Sequence, residues 1–165
     1  MKNYTVRLYE GNDYENWNAF IGQAKNATFL FHRDFMEYHS DRFQDYSLIV
    51  LDGEKWVAVL PANVVENQVF SHQGLTYGGL VYGDKIGAAL VEIILDAIID
   101  FLKKCKIENF VLKLIPDFYQ ARTSNEMHYF LFQKKADLLK RSMNLVIDYS
   151  KPFQISKSKL KHFRR

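Results

Sequence analysis

The sequence predicts a mixed α/β domain in which a mostly antiparallel sheet is flanked by helices on both faces. Three observations support this prediction. The strand-like and helix-like segments of the 165-residue chain follow the order β-α-α-β-β-β-α-β-α-β. The favoured hairpin dipeptide Asp52-Gly53 joins two runs that are rich in β-forming residues, which indicates antiparallel neighbours. One long apolar helix, at residues 86–104, separates strands and implies a crossover connection.

The first half of the chain contains a strand, two helices and a series of short strands. Tyr4–Tyr9 alternates in polarity and is rich in β-forming residues, so it is the first predicted strand. Asp13 can cap a helix over residues 14–25, which carries apolar residues on one face. Apolar spacing predicts a second helix over Arg33–Phe43. Three further strands are predicted at residues 45–51, 55–62 (with a bulge or edge at Pro61) and 64–70 (with a turn at Glu66-Asn67).

The second half is built around the strongest predicted helix. Apolar residues nearly encircle the segment 86–104, so we expect this helix to be deeply buried. A strand over Ile107–Ile115 follows and ends at Pro116-Asp117. A helix over residues 125–134 and a strand over residues 145–149 complete the predicted domain, which spans residues 1–150.

Charge and hydropathy exclude several classes of protein. The net charge is +3, but the last 15 residues carry six basic and no acidic side chains, which leaves the first 150 residues at −3. A mildly acidic body with a short basic tail is not typical of a nucleic-acid-binding protein, so DNA is not an expected partner. The N-terminus has no apolar core of signal-peptide type, and no segment approaches the ~20 apolar residues of a membrane span. We therefore expect a cytoplasmic protein without a membrane span.

Several common catalytic and metal-binding patterns are absent. Cys105 is the only cysteine, which excludes an internal disulfide, and its apolar helical setting predicts a buried, inert thiol. The five histidines do not stand at metal-ligand spacing, so no metal site is expected. The chain also lacks a phosphate loop of the G-x-x-x-x-G-K-[ST] type and a G-x-S-x-G nucleophile elbow.

The most informative stretch is the glycine segment, residues 71–83, which holds four of the eight glycines. Glycine is used where no side chain fits, so the backbone here approaches either a substrate or only another strand. Polar side chains that include Ser71, His72 and Tyr77 stand between the glycines. His72 can orient or deprotonate an amine, and the equally favoured alternative is a turn histidine bonded to backbone.

A second cluster of ionisable and aromatic residues covers residues 31–43. His39, Asp41 and Arg42 stand where the predicted second helix ends, so they can face a pocket. The structural alternative is favoured: Asp41 and Arg42 cap the helix or pair with each other, and His39 is a satisfied, half-buried residue.

Three segments together resemble a known family. They are T-F-L-F-H-R-D-F-M-E-Y-H-S-D-R-F (Thr28–Phe43), the strand pair D-Y-S-L-I-V-L and W-V-A-V-L-P-A-N, and S-H-Q-G-L-T-Y-G-G (Ser71–Gly79). In this order they resemble the N-terminal half of Fem-type proteins, the tandem members of the GNAT superfamily of N-acyltransferases. The resemblance covers nearly the whole chain and implies the GNAT fold. It also implies that the basic residues 151–165 open a second GNAT-like half.

The resemblance implies transfer of an acyl or aminoacyl group to an amine, in cell-wall or surface-polysaccharide assembly. The donor is acetyl-CoA, another acyl-CoA or an aminoacyl-tRNA, and the acceptor is a small-molecule amine or a sugar or peptidoglycan precursor. The family's pyrophosphate loop, Q/R-x-x-G-x-G/A, aligns with residues 82–88, where Asp84 brings a negative charge. We therefore expect no cofactor in this half, which contributes the acceptor side, while the other half holds the donor.

The implied site residues fall into three groups. The catalytic residue is unassigned, with His72 and His39 as candidates. The candidates for substrate binding are Asp41, Arg42, Tyr46, Ser71, His72, Tyr77 and Gly78, and those for cofactor binding are Gly83, Lys85 and Gly87.

Two alternatives to the half-enzyme remain open, and so does the oligomeric state. The chain can be a complete, non-catalytic module whose glycine segment binds a partner or a sugar. It can also be a standalone acetyltransferase that uses CoA. A homodimer is the open alternative to pairing with a second GNAT-like half.

Overall fold

The strands form two four-stranded sheets in the computed structural model, which describes residues 3–38, 40–120, 122–143, 145 and 147–152. The strands are β1 (Thr5–Leu8), β2 (Gln44–Asp45), β3 (Leu48–Asp52), β4 (Lys55–Leu60), β5 (Asn63–Val65), β6 (Gln68–Phe70), β7 (Val81–Tyr82) and β8 (Asn109–Val111). The α-helices are α1 (Tyr14–Gln23), α2 (Arg33–Glu37), α3 (Ala88–Lys104) and α4 (Glu126–Gln133). The first sheet has the order β1-β3-β4-β7 and is antiparallel throughout. The second has the order β2-β5-β6-β8, in which only β6 and β8 are parallel. The predicted mixed, mostly antiparallel architecture is confirmed.

Helices cover both faces of the first sheet, as predicted. Along β3, Leu48 and Val50 point into the main core, which contains the buried residues of α3 and α4. Ile49 points the other way, into a second core with Trp17 of α1 and Phe31. All three β3 residues are fully buried, because neighbouring side chains of a strand point to opposite faces and both faces are covered.

Helix α3 packs by one face rather than by its whole circumference. Its buried residues are Val91, Ile94, Leu95, Ile98 and Leu102, at the three- and four-residue spacing of one helical stripe. Glu92, Asp96 and Asp100 lie on the exposed side. The prediction of a deeply buried helix was therefore wrong, since charged residues keep one face in water. Cys105, immediately after the helix, is exposed, so the predicted buried thiol was also wrong.

Two hairpins and a sheet switch organise the centre of the chain. Gly53, with φ +63°, turns β3 into β4, and Glu66, with φ +53°, turns β5 into β6, both where the sequence predicts a turn. After β4 the chain passes Pro61, which has no N–H for a ladder, and enters the second sheet at Asn63. The predicted strand 45–51 is divided in the same way, since β2 belongs to the second sheet and β3 to the first.

Four further predicted features differ in the structure. The second helix, predicted to reach Phe43, ends at Glu37. Asp13 does not cap α1 with its side chain, because that carboxylate accepts hydrogen bonds from Arg7 (2.7 Å) and from the Glu10 N–H (3.0 Å). The predicted strand 107–115 is reduced to β8, followed by an isolated bridge at Leu114.

The predicted last strand, residues 145–149, is the fourth difference. Its described residues 145 and 147–149 are not in a strand, and Leu145 and Tyr149 are 85% and 89% exposed, because no strand edge among the described residues pairs with them. The basic tail from residue 153 onward lies outside the described residues. Across the described ranges, no helix has the length and apolar character needed to cross a membrane.

Candidate functional site

A pocket lies where the two sheets approach each other. One wall comes from Gly78 to Leu80, just before β7, and the other from Leu114 and Ile115, just after β8. The walls meet at a parallel bridge between Gly78 and Leu114, where the Gly78 N–H donates to the Lys113 C=O at 2.6 Å. Its enclosed volume is about 10 Å³, room for one water-sized group, and it widens at an open mouth. This candidate pocket is lined by Asn26, Gly78, Gly79, Leu80, Leu114, Ile115, Gln120, Ser124, Met127 and His128.

A buried polar network supports the pocket from the start of α4. The Ser124 hydroxyl lies 2.5 Å from the Tyr82 hydroxyl and donates to the Glu126 carboxylate at 2.8 Å. Lys25 donates to the other carboxylate oxygen of Glu126 at 2.8 Å and to the Ile86 C=O at 3.2 Å. Lys25 and Glu126 are 9% and 19% exposed, so the pair is largely shielded from water. The network therefore holds Ser124 in place at the pocket.

Burial and pairing shift two pKa values in this network. Burial raises the pKa of Tyr82, so its hydroxyl stays protonated. For Glu126, burial acts to raise the pKa, but hydrogen bonds from Lys25, from its own backbone N–H and from Ser124 hold that pKa below its usual value. Glu126 is consequently an ionised anchor, and the pocket gains no protonated carboxyl from it.

Asn26 occupies the outer edge of β7. Its side-chain N–H donates to the Leu80 C=O at 2.8 Å, and its side-chain oxygen accepts from the Tyr82 N–H at 3.0 Å. The Lys25 N–H donates to the Tyr82 C=O at 3.2 Å. The side chain of Asn26, only 4% exposed, thus takes the place that a neighbouring strand or a strand-like ligand would take.

The glycine segment packs against β8 and its continuation. The Ser71 N–H donates to the Val111 C=O at 2.9 Å, and the Ser71 hydroxyl accepts from the Lys113 N–H at 2.7 Å. A Cβ on Gly78 would lie 1.8 Å from the Ser71 C=O oxygen, so only glycine allows the chain to pass there. Of the two interpretations of these glycines, the close approach to another backbone segment is the one that the packing of Gly78 supports. Gly78 also lines the candidate pocket.

The two other candidates in the glycine segment are buried. His72 is 3% exposed, its Nδ1 accepts from the Gly74 N–H at 3.2 Å, and its ring meets the Phe43 ring edge-on at 5.7 Å. Tyr77 is 6% exposed and donates its hydroxyl proton to Thr28 Oγ1 at 3.1 Å. Neither side chain lines the candidate pocket. The Tyr77 ring contacts the ring of Tyr119, which is half exposed and precedes the pocket residue Gln120 in the chain.

The cluster at residues 31–43 is organised around a buried arginine. Arg33 is 2% exposed, bonds to Asp45 at 2.8 Å and to the Ser47 hydroxyl at 3.1 Å, and stacks on the Tyr9 ring. These contacts fix α2 against the connection between β2 and β3 and against the residue that follows β1. They are structural contacts, since a buried guanidinium needs such partners.

The remaining substrate-binding candidates lie away from the candidate pocket. Asp41 and Arg42 form an exposed ion pair with each other at 3.8 Å. Tyr46 packs against the main core, and burial together with a hydrogen bond to Cys105 raises its pKa to about 12. His39 lies outside the described residues. The structure therefore does not bring Asp41, Arg42 or Tyr46 together with Gly78 at the candidate pocket.

The three cofactor-binding candidates precede α3. Gly87 is the N-cap residue of α3, and no atom lies within 4 Å of a Cβ built on Gly83 or Gly87, so their backbone is accessible. Lys85 is exposed. Asp84 faces Arg122 at 3.4 Å, which partly offsets its charge at this helix N-terminus. Among the described residues, no group of three His, Cys, Asp or Glu side chains is placed to hold a metal ion.

Sequence analysis missed the polar residues that do line the pocket. Asn26, Gln120, Ser124 and His128 come from three separate segments, and none belongs to a recognisable motif. His128 had been considered only as a metal ligand. The sequence places it in the predicted helix over residues 125–134, and nothing in that pattern marks it as a pocket residue.

Comparison with known proteins gives a fold but no family assignment. No protein-family model and no curated protein matches the chain. The ribosomal-protein-S18-alanine N-acetyltransferase from Escherichia coli superposes with a TM-score of 0.51 at 16% identity, over 81% of this chain and 77% of that one. A ribosomal-protein-alanine N-acetyltransferase from Brucella melitensis biovar Abortus 2308 gives a TM-score of 0.51 at 13% identity, over 88% and 99%.

An aminoglycoside N-acetyltransferase in complex with CoA is similar as well. Its TM-score is 0.50 at 10% identity, over 89% of this chain and 95% of that one. At identities this low the likeness concerns backbone architecture rather than site residues. The two sheets, the crossover helix α3 and these superpositions together establish that the chain has the GNAT fold.

Proposed function

We propose that this chain transfers an acyl group from a thioester such as acetyl-CoA to an amine bound in the candidate pocket. The observation that carries the proposal is the position of the pocket. The pocket lies between β7 and the continuation of β8. Lys25, the chain neighbour of the pocket residue Asn26, donates a hydrogen bond to the Ile86 C=O just before α3. Three N-acetyltransferases share this backbone architecture, one of them in a complex with CoA.

The reaction requires an amine held beside a thioester carbonyl. The amine nitrogen attacks the carbonyl carbon, a C–N bond forms, the C–S bond breaks, and the thiolate leaves and takes up a proton. The nitrogen must lose one proton, and His128 is the ionisable side chain that lines the pocket among the described residues. Imidazole is the side chain that most often serves as a general acid or base in catalysis. We therefore assign His128 the role of general base.

The accessible backbone before α3 suits the phosphates of an acyl-CoA. Gly83 and Gly87 leave space around their Cα atoms, Lys85 is exposed, and the N–H groups of the first turn of α3 point toward that side. Asp84 opposes an anion at the same place, although Arg122 pairs with it. The segment thus combines favourable backbone with one unfavourable charge.

Acetyl transfer provides the direct test. We expect the chain to release free CoA from acetyl-CoA only when a primary amine is present. Replacing His128 by Asn should lower that rate about 100-fold because the general base is lost. His162→Asn, in the basic tail, is a control with the same chemical change. Equal rates for wild type and His128→Asn would contradict the assignment of the base.

A second candidate function is the acceptor-side half of a Fem-type tandem transferase in cell-wall or surface-polysaccharide assembly. Three observations favour it. Asp84 stands where donor phosphates would bind, and Asn26 already occupies the outer edge of β7. The exposed rings of Phe118 and Tyr119, next to the pocket residue Gln120, suit the apolar face of a sugar ring. In this version an aminoacyl-tRNA or acyl-CoA is held by a second GNAT-like half.

Calorimetric titration with acetyl-CoA separates the two candidates. Micromolar binding that is lost in Gly87→Asp supports the self-sufficient acetyltransferase, because the added carboxylate repels phosphate at the helix N-terminus. Absence of binding, together with binding of an amino-sugar acceptor, supports the acceptor-side half. Sugar binding that is unaffected by any pocket substitution would instead favour a non-catalytic binding module.

A further inference from the structure

One polar atom of the candidate pocket is buried without a hydrogen-bond partner. Gln120 follows the short 3-10 helix Asp117–Tyr119, and its backbone N–H donates to the Asp117 C=O at 3.2 Å. Its side-chain Oε1 is inaccessible to solvent and accepts no hydrogen bond from any described residue. In the part of the chain that the structure describes, only the Tyr4 hydroxyl shares this condition, and Tyr4 lies in the main core, away from the pocket.

An unpaired buried acceptor destabilises the fold, and its location at a pocket points to a reason for keeping it. A buried acceptor that loses its water without gaining a donor costs about 1–3 kcal/mol. Native structures therefore pair nearly all such groups, and the exceptions ask for an explanation such as a missing ligand. Gln120 lines the pocket, so a small shift of its side chain on binding would bring Oε1 to a donor of the bound molecule.

The other polar side chains of the pocket wall limit which chemical groups a ligand can present there. Both polar atoms of the Asn26 side chain are bonded to β7, and the Ser124 hydroxyl is shared between Tyr82 and Glu126. No Lys, Arg, Asp or Glu side chain lines the pocket among the described residues. A fully charged group would therefore enter without a counter-ion. The partner that Gln120 Oε1 lacks is therefore an uncharged hydrogen-bond donor.

We infer that Gln120 recognises the bound ligand by accepting a hydrogen bond from one of its N–H groups. The identity of that group rests on the proposed function. It is either the neutral nucleophilic amine or an amide N–H in the linear arm of the acyl donor. If it is the amine, one N–H points at Gln120 and a second can point at His128. The nitrogen lone pair is then left for the carbonyl carbon, so Gln120 orients the nucleophile as well as binding it.

The inference predicts opposite effects of one substitution on stability and on binding. Gln120→Leu removes the unpaired acceptor and keeps the approximate volume, so the melting temperature should rise by about 2–4 °C. Gln73→Leu is the matched control. Gln73 Oε1 accepts from the side-chain N–H of Asn63, which is fully buried, so its loss should lower the melting temperature. A fall in the Gln120→Leu variant would overturn the inference, because it would show that the amide is already paired.

Binding is tested with three probes on the whole chain, by NMR titration. Benzylamine, titrated at a pH above its own pKa so that it is neutral, presents N–H donors. Benzyltrimethylammonium has the same ring and can donate none, and acetyl-CoA carries amide N–H groups in its arm. We expect wild type to bind benzylamine in preference to benzyltrimethylammonium. Gln120→Leu should lose at least about tenfold in affinity for the N–H ligand, whereas Gln120→Glu, which keeps an acceptor, should retain it.

Each outcome decides the inference. Loss confined to benzylamine identifies the acceptor amine as the source of the N–H group, and loss confined to acetyl-CoA identifies the donor arm. Unchanged affinity for both, or no binding of either by wild type, overturns the inference. Acetyl transfer measured in parallel separates the two proposals. Transfer at an undiminished rate in Gln120→Leu removes the inference and keeps the function, whereas Gln120-dependent binding without any transfer removes the function alone.

Discussion

The glycine segment and the stretch that leads into α4, residues 115–128, meet at the same pocket but are built differently. In the glycine segment, Ser71, His72 and Tyr77 are buried and hydrogen-bonded to neighbouring parts of the fold. The stretch 115–128 instead contributes an unpaired buried acceptor, Gln120, and an exposed imidazole, His128. Residues that stand out in a sequence can therefore serve packing alone. A candidate site is better recognised by an unpaired polar atom next to a pocket.

Substitution of Gly78 should have the largest effect on the packed side of this comparison. In Gly78→Ala the new Cβ would lie 1.8 Å from the Ser71 C=O oxygen, and backbone cannot move aside as a side chain does. We expect a loss of about 3 kcal/mol or more in the free energy of unfolding, measured by chemical denaturation. Gly83→Ala, with no atom within 4 Å, is the control and should change stability little. Similar losses in both variants would refute the close approach.

Two histidine substitutions test the contrast directly. His128→Asn should lower the rate of acetyl transfer about 100-fold and leave the melting temperature nearly unchanged, because the imidazole is exposed. His72→Asn should do the reverse, since His72 is buried against Phe43 and bonded to the Gly74 N–H. Rates and melting temperatures of both variants are measured on the same preparations. The comparison breaks if His72→Asn abolishes transfer while the fold stays as stable as wild type.

Asn26 belongs to both sides of the comparison, because it lines the pocket and also completes β7. In Asn26→Ala the Leu80 C=O and the Tyr82 N–H lose their partners, so we expect about 2 kcal/mol of destabilisation in urea. The vacated edge can then bond a linear amide ligand, and affinity for acetyl-CoA should rise. Asn12→Ala, in the exposed turn before α1, is the control. An unchanged affinity for acetyl-CoA would show that the edge of β7 is not a ligand position.

The smallest expected effect concerns the pH dependence of stability. The folded state lowers the pKa of Glu126 from its ordinary value of 4.5, so the ionised carboxylate stabilises the fold above that value. The contribution is lost as the pH falls below 4.5 through the lowered pKa. Glu126→Gln should therefore show a shallower decline of unfolding free energy between neutral and acid pH than wild type. Glu92→Gln, on the exposed face of α3, should keep the wild-type slope, and an identical slope in Glu126→Gln would argue against the ion pair with Lys25.

Local patterns predicted most of the fold because short-range geometry controls it. Asp52-Gly53 and Glu66-Asn67 mark turns in which Gly53 and Glu66 have positive φ values. The apolar stripe of α3 follows helical spacing. The length of α2 was overestimated for a tertiary reason. Phe43 continues the apolar spacing of the predicted helix, but its ring packs against His72 from outside any helix.

The candidate site was predicted only in part, through Gly78. Asn26, Gln120, Ser124 and His128 are separated by up to a hundred residues and have no common motif, so their proximity depends on how β7, β8 and α4 pack. Of the cofactor-binding candidates, Lys85 and Gly87 are exposed and Gly83 is partly buried, and their role stays a prediction.

Local sequence is enough to predict the order of strands and helices, the hairpins and the two-sided burial of the first sheet, because these depend on polarity patterns and turn residues within a few positions. Tertiary structure alone decided which polar atoms are paired. The Ser71 hydroxyl meets a backbone N–H of the neighbouring segment, whereas Gln120 Oε1 meets nothing. Hydrogen bonding between distant segments requires positions in three dimensions, and residue type does not specify them. For that reason the glycine segment stood out in the sequence, while the candidate pocket emerged only from the fold.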